Sequence, residues 1–335
     1  MAFVNGIELS RRLYAGSVRP LLAHRYPGLA YTAALVGTGS EVLGFDTERS
    51  TDHDWGSRLQ LFLGPEDFAA HGTDVERVLV AGCPADAIVV VADLGDWLAG
   101  RLGFNPLGRI TMLDWLATPT QALAEVTAGT VHHDGLGRLH PVRQALAWYP
   151  DDLWRYLLAC QWERLSEEEP FVGRCGEVGD ELGSAVVAGR LVRDLMRLWL
   201  LMGRTYPPYA KWLGSAFARL PGAGPLGATL RAVLAATGWR EREEQLVVAY
   251  ETVARRHNDL SLTLPVDPRV RLFFDRPFRV LRGERFSQPL IASIADPAVR
   301  ALPLTGGIDQ FVDSTAALTS RPDRRRRITA AMYSG

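Results

Sequence analysis

Residues 37–56 read GTGSEVLGFDTERSTDHDWG, and this stretch determines how we interpret the fold. The segment before it, Tyr31–Val36, is short and apolar and predicts a strand, and Arg58–Leu63 after it predicts a second strand. Between the two, Gly39 and Ser40 predict a turn whose backbone N–H groups could approach a phosphate, with the serine hydroxyl as a further donor. Turns of this kind occur in many proteins, so the turn alone is a weak indication.

Two aspartates follow the turn, Asp52 and Asp54, with His53 between them. Residues two apart in an extended chain point to the same side, so we expect both carboxylates to face one point and His53 to face away. Mg²⁺ prefers such oxygen ligands together with phosphate and water, and nucleotidyl transfer uses metal held in this way. A polar turn is the alternative for the pair alone. A Gly-Ser turn followed about a dozen residues later by the pair is a more specific combination.

The rest of the first ~140 residues alternates helix and strand, which indicates an α/β or α+β domain. Gly6–Arg25 has apolar residues at helical spacing and predicts an amphipathic helix that Pro20 kinks. Pro65–Ala70 opens a further helix. Asp86–Ala92 contains a nearly continuous apolar run, which predicts a buried strand covered on both faces.

The second part of the chain has a helical rhythm, with glycine and proline clusters between its periodic segments. A length of 335 residues favours two domains, and we place them at residues 1–140 and 141–335. The basic run at residues 324–327 is interpreted as a solvated tail. The predicted helices lie at residues 153–165, 182–202, 225–236 and 240–258.

Composition narrows the class of protein. A net charge of −1 argues against a long nucleic acid as partner. Three scattered cysteines without a CxxC pair argue against a thiolate zinc site and a disulfide framework, which is typical of a reducing compartment. The N-terminal residues lack the pattern of a signal peptide, and charged residues such as Arg193 and Asp194 interrupt the longest apolar stretch. We therefore expect a cytoplasmic protein with no membrane partner.

Five segments together resemble one bacterial family, a domain of unknown function assigned to the polymerase-beta-like nucleotidyltransferase superfamily. The resemblance covers roughly residues 30–318, and its superfamily motif is carried by Gly39, Ser40, Asp52 and Asp54. Relatives by fold include kanamycin and streptomycin nucleotidyltransferases. The five segments are residues 44–56, 147–165, 173–184, 204–214 and 306–314.

The resemblance implies the α+β class, with an N-terminal nucleotidyltransferase-fold mixed sheet and a C-terminal all-α helical domain. It implies an enzyme that transfers a nucleoside monophosphate, AMP from ATP, to a hydroxyl of a small molecule and releases pyrophosphate. Asp52 and Asp54 would hold Mg²⁺ as catalytic residues, and Gly39 and Ser40 would bind the nucleotide. Such enzymes use a helical-domain glutamate as the base, which points to Glu163; a solvated glutamate is the alternative.

Four further residues of the second part are nucleotide-binding candidates. Arg174 and Asp180 flank a glycine-rich segment, where an arginine could grip a phosphate or, alternatively, pair with the aspartate to pin a loop. Tyr209 and Lys211 could stack on a base and neutralise phosphate charge, although a proline-rich turn packed on the core is an equal alternative. The acidic run at residues 167–169 is interpreted as solvated.

One position departs from the superfamily pattern. A third carboxylate is expected on a later strand, where this chain has Val90. Asp86, Asp93 and Asp134 are the other candidates. If none of them fills the role, the site holds one metal ion or binds nucleotide without turnover. A catalytically inactive binding or sensor protein therefore stays open, as does an antitoxin-like nucleotidyltransferase that modifies a protein. A homodimer is also open.

Overall fold

A computed structural model describes residues 3–52 and 56–333, with the side chains of residues 51 and 52 left out of that description. The chain forms two compact units. One consists of Met1–Ala147 with Thr319–Ala330, and the other of Trp148–Leu318 with Ala331–Gly335. No sequence pattern predicted that the chain would return to the first unit near its end.

A four-stranded mixed sheet organises the first unit. Its strands are β1 (Tyr31–Leu35), β2 (Arg58–Leu63), β3 (Ile88–Asp93) and β4 (Thr130–Asp134), in the order β3-β2-β1-β4. Strand β1 is antiparallel to β2 and β4, whereas β2 and β3 are parallel. The predictions of an α+β protein, of a mixed sheet, and of strands at residues 31–36 and 58–63 are confirmed.

Helices fill the connections between these strands. The helix predicted at Pro65 is confirmed, and it extends to Gly82. The helices of this part of the chain are α1 (Gly6–Leu13), α2 (Arg19–Arg25), α3 (Pro65–Gly82), α4 (Leu94–Leu102), α5 (Met112–Ala117), α6 (Thr120–Thr127) and α7 (Leu139–Ala145).

The predicted kink near Pro20 takes the form of a π-helical segment. Residues Tyr14–Val18 join α1 to α2, and the N–H of Arg19 donates to the carbonyl of Tyr14, five residues earlier. Proline lacks an N–H and its ring clashes with the carbonyl four residues before it, so regular α-helical bonding fails at Pro20. The wider π turn accommodates the proline while the helix continues.

The core of the first unit lies between one face of the sheet and these helices. Leu59 and Leu61 of β2 and Ala33 of β1 are fully buried against Leu22 and Leu79. Burying a leucine side chain contributes about 1.5–3 kcal/mol. Alternate residues of β2 therefore anchor the strand and leave its other residues for the opposite face of the sheet.

The prediction that β3 is buried on both faces is wrong. Ile88 and Val90 are 52% and 42% exposed, because they lie on the opposite face of the strand from Val89 and Val91. Val89 and Val91 pack against the core instead. A continuous apolar run predicts a strand, but the run does not reveal whether both faces of that strand will be covered.

The second unit is mainly helical, and helices are confirmed at each of the four predicted positions. It is not all-α as predicted, because β5 (Arg271–Leu272) and β6 (Arg279–Val280) form an antiparallel hairpin. Its helices are α8 (Asp151–Glu168), α9 (Phe171–Glu177), α10 (Glu181–Met202), α11 (Ala210–Ala218), α12 (Ala223–Ala235), α13 (Trp239–Asp259), α14 (Glu284–Ala292), α15 (Pro297–Arg300), α16 (Ile308–Phe311) and α17 (Thr315–Leu318). The last helix, α18 (Pro322–Tyr333), belongs mostly to the first unit.

Helix α8 lies at the centre of the second unit. Its Trp162 is fully buried and stacks on Phe286 of α14, with ring centroids 4.5 Å apart. The indole N–H of Trp162 donates to Nδ1 of His257, 3.1 Å away on α13. Burial lowers the pKa of His257 to about 4, so the neutral ring accepts this bond at neutral pH. Three helices are thus fixed to one another through a single tryptophan.

The glycines of the GRCGEVGD segment have packing roles. A Cβ atom on Gly173 would lie 2.4 Å from the ring of Phe278, and one on Gly176 would lie 2.1 Å from the indole of Trp239. Contacts this short do not occur, so only glycine lets these rings lie against α9. The glycine content of this segment therefore reflects close packing of aromatic rings.

The interpretation of residues 324–327 as a solvated tail is wrong for two of the four arginines. The run belongs to helix α18, and Arg325 is only 6% exposed. Its guanidinium donates to the carbonyl oxygen of Arg101, 3.2 Å away, and Arg326 forms an ion pair with Asp114. In a helix, consecutive residues point in different directions, so a run of like charges can have a buried member.

No helix within residues 3–52 and 56–333 combines the length and the hydropathy that a membrane span requires.

We predict that Gly176→Ala destabilises the second unit by about 1–3 kcal/mol, because the added methyl group overpacks the contact with Trp239. Thermal unfolding of purified protein measures the effect. Gly189→Ala is the matched control, since it adds the same methyl group to helix α10, where no atom lies within 4 Å of the new carbon. The control should be neutral or stabilise the helix by up to about 1 kcal/mol. Equal effects of the two substitutions would contradict the packing role of Gly176.

Candidate functional site

The predicted glycine turn follows β1 directly. Gly37 and Gly39 have φ values of 92° and 136°, in a region that residues with a side chain rarely adopt. The N–H of Gly37 donates to the carbonyl of Glu125, 2.8 Å away, which fixes the start of the turn to α6. Glycine at these positions is therefore required by the backbone conformation.

Two arginines hold the turn from different elements. Nη2 of Arg58, the first residue of β2, donates to the carbonyl of Thr38 at 2.6 Å, and Nη2 of Arg101 donates to the Thr38 hydroxyl at 3.2 Å. The guanidinium of Arg101 also lies over the ring of Trp97, 5.6 Å from its centroid. The side chain of Arg101 is 31% exposed and that of Arg58 is 12% exposed. Two positive charges therefore adjoin the turn, and Arg101 is the more accessible.

A buried carboxylate lies behind the turn. Glu41 is 2% exposed, and its Oε1 lies 3.2 Å from Nη1 of Arg58. Burial raises the pKa of this carboxyl group, against the opposing effect of the Arg58 charge. A Cβ atom on Gly39 would lie 2.5 Å from both oxygens of Glu41. The carboxylate thus fills the space under the turn and orients Arg58.

Arg58, Arg101 and Glu41 were not among the residues predicted for the site. One signal was present in the strand sequence RLQLFL, because Arg58 and Gln60 alternate with leucines and so mark a polar face. Gln60 uses its side-chain oxygen to accept the N–H of Val36 at 2.9 Å. No local pattern identified Arg101, which reaches the turn from α4.

Most of the predicted aspartate pair, Asp52 and Asp54, lies outside the residues that the structure describes. The backbone of Asp52 ends a 3₁₀ helix, Glu48–Asp52, and its side chain is not described. Asp54 lies outside the described residues, as does His53. Strand β2 begins at Arg58, four residues beyond Asp54. The geometry expected for the two carboxylates therefore stays a prediction.

The strand register separates the three candidates for a third carboxylate. Asp93 pairs with Leu63 at the far end of β2, and Asp134 pairs with Thr32 at that same end of the sheet. A six-residue strand spans roughly 16 Å, so neither side chain adjoins the start of β2. Asp86 is at the near end, where its carbonyl oxygen lies 3.9 Å from an ideal Cβ on Gly56, and it is exposed.

Asp93 and Asp134 also have other partners. Asp93 caps helix α4 by accepting the N–H of Asp96 at 2.8 Å, and Asp134 accepts the hydroxyl of Thr32 at 2.6 Å. In the part of the chain that the structure describes, no group of three or more His, Cys, Asp or Glu side chains could hold a metal ion. A metal site at the start of β2 would therefore depend on Asp52 and Asp54, with Asp86 as the one of the three candidates at that end of the sheet.

Glu163 lies at the wall of a cavity in the second unit. Its Oε2 accepts the hydroxyl of the buried Ser287 at 2.8 Å, and its side chain is half-buried on α8. The cavity has a volume of about 320 Å³ and also contacts Glu169 and Glu284. Glu169 was interpreted as solvated, which is wrong: it is 5% exposed and accepts three backbone N–H groups from residues 281–283. Three glutamates thus meet at one cavity.

The other second-unit candidates lie on separate elements. Asp180 caps α10 by accepting the N–H of Gly183 at 2.7 Å, and Arg174 lies over the ring of Phe171, 5.6 Å from its centroid. Both are exposed, and neither lines the cavity at Glu163. A capping role explains the aspartate without a ligand.

The RTYPPYAKW segment divides into a buried and an exposed part. Tyr206 is 7% exposed and packs against Trp148 with ring centroids 4.8 Å apart, so it belongs to the core. Tyr209 is 41% exposed, and Nζ of Lys211 lies 4.8 Å from the ring centroid of Trp212. Tyr209 and Lys211 are therefore accessible at the start of α11.

Comparison with known proteins finds one match. Residues 115–213 match the model of a family described as a domain of unknown function, DUF4037. The match covers 99 of the 335 residues, including Glu163, Arg174, Asp180, Tyr209 and Lys211 but not the glycine turn. No curated protein and no solved structure matches the chain at a significant level. The comparison supports a domain-of-unknown-function family for this part of the chain.

We predict a pH-dependent contribution of Glu169 to stability. Burial raises the pKa of Glu169 from its ordinary value of 4.5 to about 7. The folded protein then keeps a proton that the unfolded chain has released, so this contribution is fully present below pH 4.5 and is lost as the pH rises to about 7. Each pH unit in that window is equivalent to about 1.4 kcal/mol, and the loss should approach about 3 kcal/mol.

Urea unfolding of the wild type and of Glu169→Gln between pH 4.5 and 7 measures this effect as a difference. The difference is needed because His257, whose pKa is lowered, contributes with the opposite sign. The stability advantage of the wild type should shrink as the pH rises, whereas the difference between wild type and Glu244→Gln, an exposed position, should stay constant. A constant difference for Glu169→Gln would show that folding does not raise the pKa of Glu169.

Proposed function

We propose that this protein is a Mg²⁺-dependent nucleotidyltransferase. It transfers a nucleoside monophosphate, with ATP as the donor, to a hydroxyl group of a small molecule and releases pyrophosphate. The observation that carries the proposal is the glycine turn after β1, which two arginines hold in place directly before the segment that contains Asp52 and Asp54.

The turn has the features that a triphosphate needs. Its two glycines have positive φ values, which lets backbone N–H groups approach a phosphate without interference from side chains. Arg101 is partly exposed beside the turn and supplies a planar guanidinium, a group suited to phosphate oxygens. Arg58 and the buried Glu41 hold the turn rigid, so its donors need no rearrangement on binding.

Asp52 and Asp54 would hold the metal, which when bound supplies charge neutralisation at the phosphates. Glu163 is the proposed base, and the hydroxyl of Ser287 orients its carboxylate. Glu163 accepts the proton of the acceptor hydroxyl as the hydroxyl oxygen forms a bond to the α-phosphorus. The bond from the α-phosphorus to the bridging oxygen breaks, and pyrophosphate leaves with that oxygen.

A catalytically inactive nucleotide-binding protein is the second candidate function. The observation that favours it is Val90, an exposed apolar residue at the middle of β3, where a third carboxylate would be expected. Such a protein would use the same turn to bind nucleotide without transferring any part of it.

Isothermal titration of ATP, GTP, CTP and UTP in the presence of Mg²⁺ tests the shared binding step. We predict that at least one nucleotide binds and that Asp52→Asn/Asp54→Asn weakens binding by at least about tenfold, or about 1.4 kcal/mol. Asp67→Asn, on helix α3, is the control for the loss of one aspartate charge and should bind normally. If no nucleotide binds, or if the double variant binds as the wild type does, the proposal fails.

Pyrophosphate release separates the enzyme from the inactive binder. We predict release when ATP, Mg²⁺ and a panel of hydroxylated small molecules are combined, and loss of release in Glu163→Gln with unchanged nucleotide binding. Nucleotide binding without release across the whole panel would favour the inactive binding protein.

A further inference from the structure

The cavity of the second unit lies between the end of α8, the β5–β6 hairpin and the start of α14. Its volume of about 320 Å³ is at the lower end of the range for small-molecule sites. Glu163, Glu169 and Glu284 contribute carboxylates, Phe273 and Phe274 contribute rings, and Arg282 contributes the one guanidinium of the lining residues. The cavity therefore combines an aromatic wall with an excess of negative charge.

Two of the three carboxylates have hydrogen-bond donors, and within the described residues none of the three has a cation partner. Glu169 is held by three backbone N–H groups at 2.6–3.1 Å, and Glu163 by the Ser287 hydroxyl. Across residues 3–52 and 56–333, none of the three has a lysine, arginine or histidine nitrogen within 4.0 Å. Elsewhere in the chain buried acids such as Glu41 and Asp194 do form ion pairs. Half-buried carboxylates without a cation partner, such as Glu163 and Glu284, favour binding of a cation.

The aromatic wall already interacts with a cation of the chain itself. Phe274 is 72% exposed, and its ring meets that of Phe273 edge to face, with centroids 4.8 Å apart. The guanidinium of Arg282 lies 5.3 Å from the centroid of the Phe274 ring. A positive group is thus already attracted to this ring face from within the chain, which is the electrostatic preference of an aromatic quadrupole.

From this geometry we infer that the cavity binds a small organic cation, a primary or secondary amine with an apolar or aromatic body. The ammonium group would donate to Glu163 and Glu284, and the body of the ligand would pack on Phe273 and Phe274. This inference shares Glu163 with the proposed nucleotidyltransferase function but does not rest on that function, because it concerns only the lining of the cavity.

Two other ligand classes fit the cavity less well. An anion would meet the carboxylates of Glu163 and Glu284, the partly ionised Glu169 and one arginine, so the unfavourable charges still outnumber the favourable one. A hard metal ion would gain nothing from two phenylalanine rings, and in the described residues the glutamates do not form a metal-binding group. An amine uses both the carboxylates and the rings.

Titration calorimetry with three ligands of similar shape but different charge tests the inference. The titrations are made at neutral pH, without nucleotide or Mg²⁺. Benzylamine carries a positive charge, benzyl alcohol is neutral, and benzoate is negative. We expect benzylamine to bind at least about tenfold more tightly than benzyl alcohol, since a hydrogen bond to a charged group contributes about 1.5–3 kcal/mol, and we expect no binding of benzoate. Absence of benzylamine binding at millimolar concentration, or binding of benzoate as tightly as benzylamine, would overturn the inference.

Two substitutions locate the site. Glu284→Gln should weaken benzylamine binding by about tenfold or more, through the loss of one charged acceptor. Phe274→Ala should weaken it by about three- to tenfold, and its large exposure makes unfolding an improbable cause. Glu244→Gln and Phe68→Ala are matched controls at positions outside the cavity, and both should bind benzylamine as the wild type does. If the cavity variants bind like the controls, the amine binds elsewhere and the inference is wrong.

Discussion

The first unit depends on the central position of β2 in its sheet. Pairing on both edges fixes the strand, and the alternation of its side chains then gives its two faces different roles. Leu59 and Leu61 are buried against the helices, whereas Arg58 and Gln60 point to the opposite face and bind the backbone at residues 36 and 38. A shift of one residue in register would exchange these faces, so the geometry of the glycine turn and the hydrophobic core are determined together.

In the second unit, the burial of α8 likewise fixes the hydrophobic core and the nearby polar residues together. Trp162 and its neighbours fix α13 and α14 against α8, and this packing determines where the polar residues at the end of α8 lie. Glu163 is one residue beyond Trp162 on the same helix, and Glu169 follows at its end. Their position at a cavity wall is a result of core packing, because a rigid helix transmits the placement of its buried residues to the residues beside them.

The charged groups at the glycine turn and at the cavity differ in whether they have ionic partners. At the glycine turn each buried charge has a partner, as the pair formed by Glu41 and Arg58 shows. At the cavity three glutamates lack a cation partner in the described residues, and burial raises the pKa of Glu169 to about 7. Paired charges make a rigid support, whereas unpaired charges beside aromatic rings favour a ligand that supplies the missing partner.

Much of the local structure could be predicted from the sequence. Strands at residues 31–36 and 58–63, the turn between Gly37 and Ser40, and four helices of the second unit follow from short-range periodicity and glycine chemistry. Glu163 was predicted from the family resemblance, and the structure places it at the wall of a cavity. Prediction from local patterns failed where the same pattern is compatible with more than one environment. The apolar run of β3 has one exposed face, and the acidic run at residues 167–169 has a buried member.

The sequence by itself determined many of the helices, strands and turns, because those depend mainly on residues within a few positions of each other. Only the tertiary structure decided which charges meet. Arg101 reaches Thr38 across 63 positions, and Glu169 reaches the backbone of Leu281 across 112. Contacts at such separations depend on strand order and helix packing, and these arise from the burial of the whole core rather than from any local pattern.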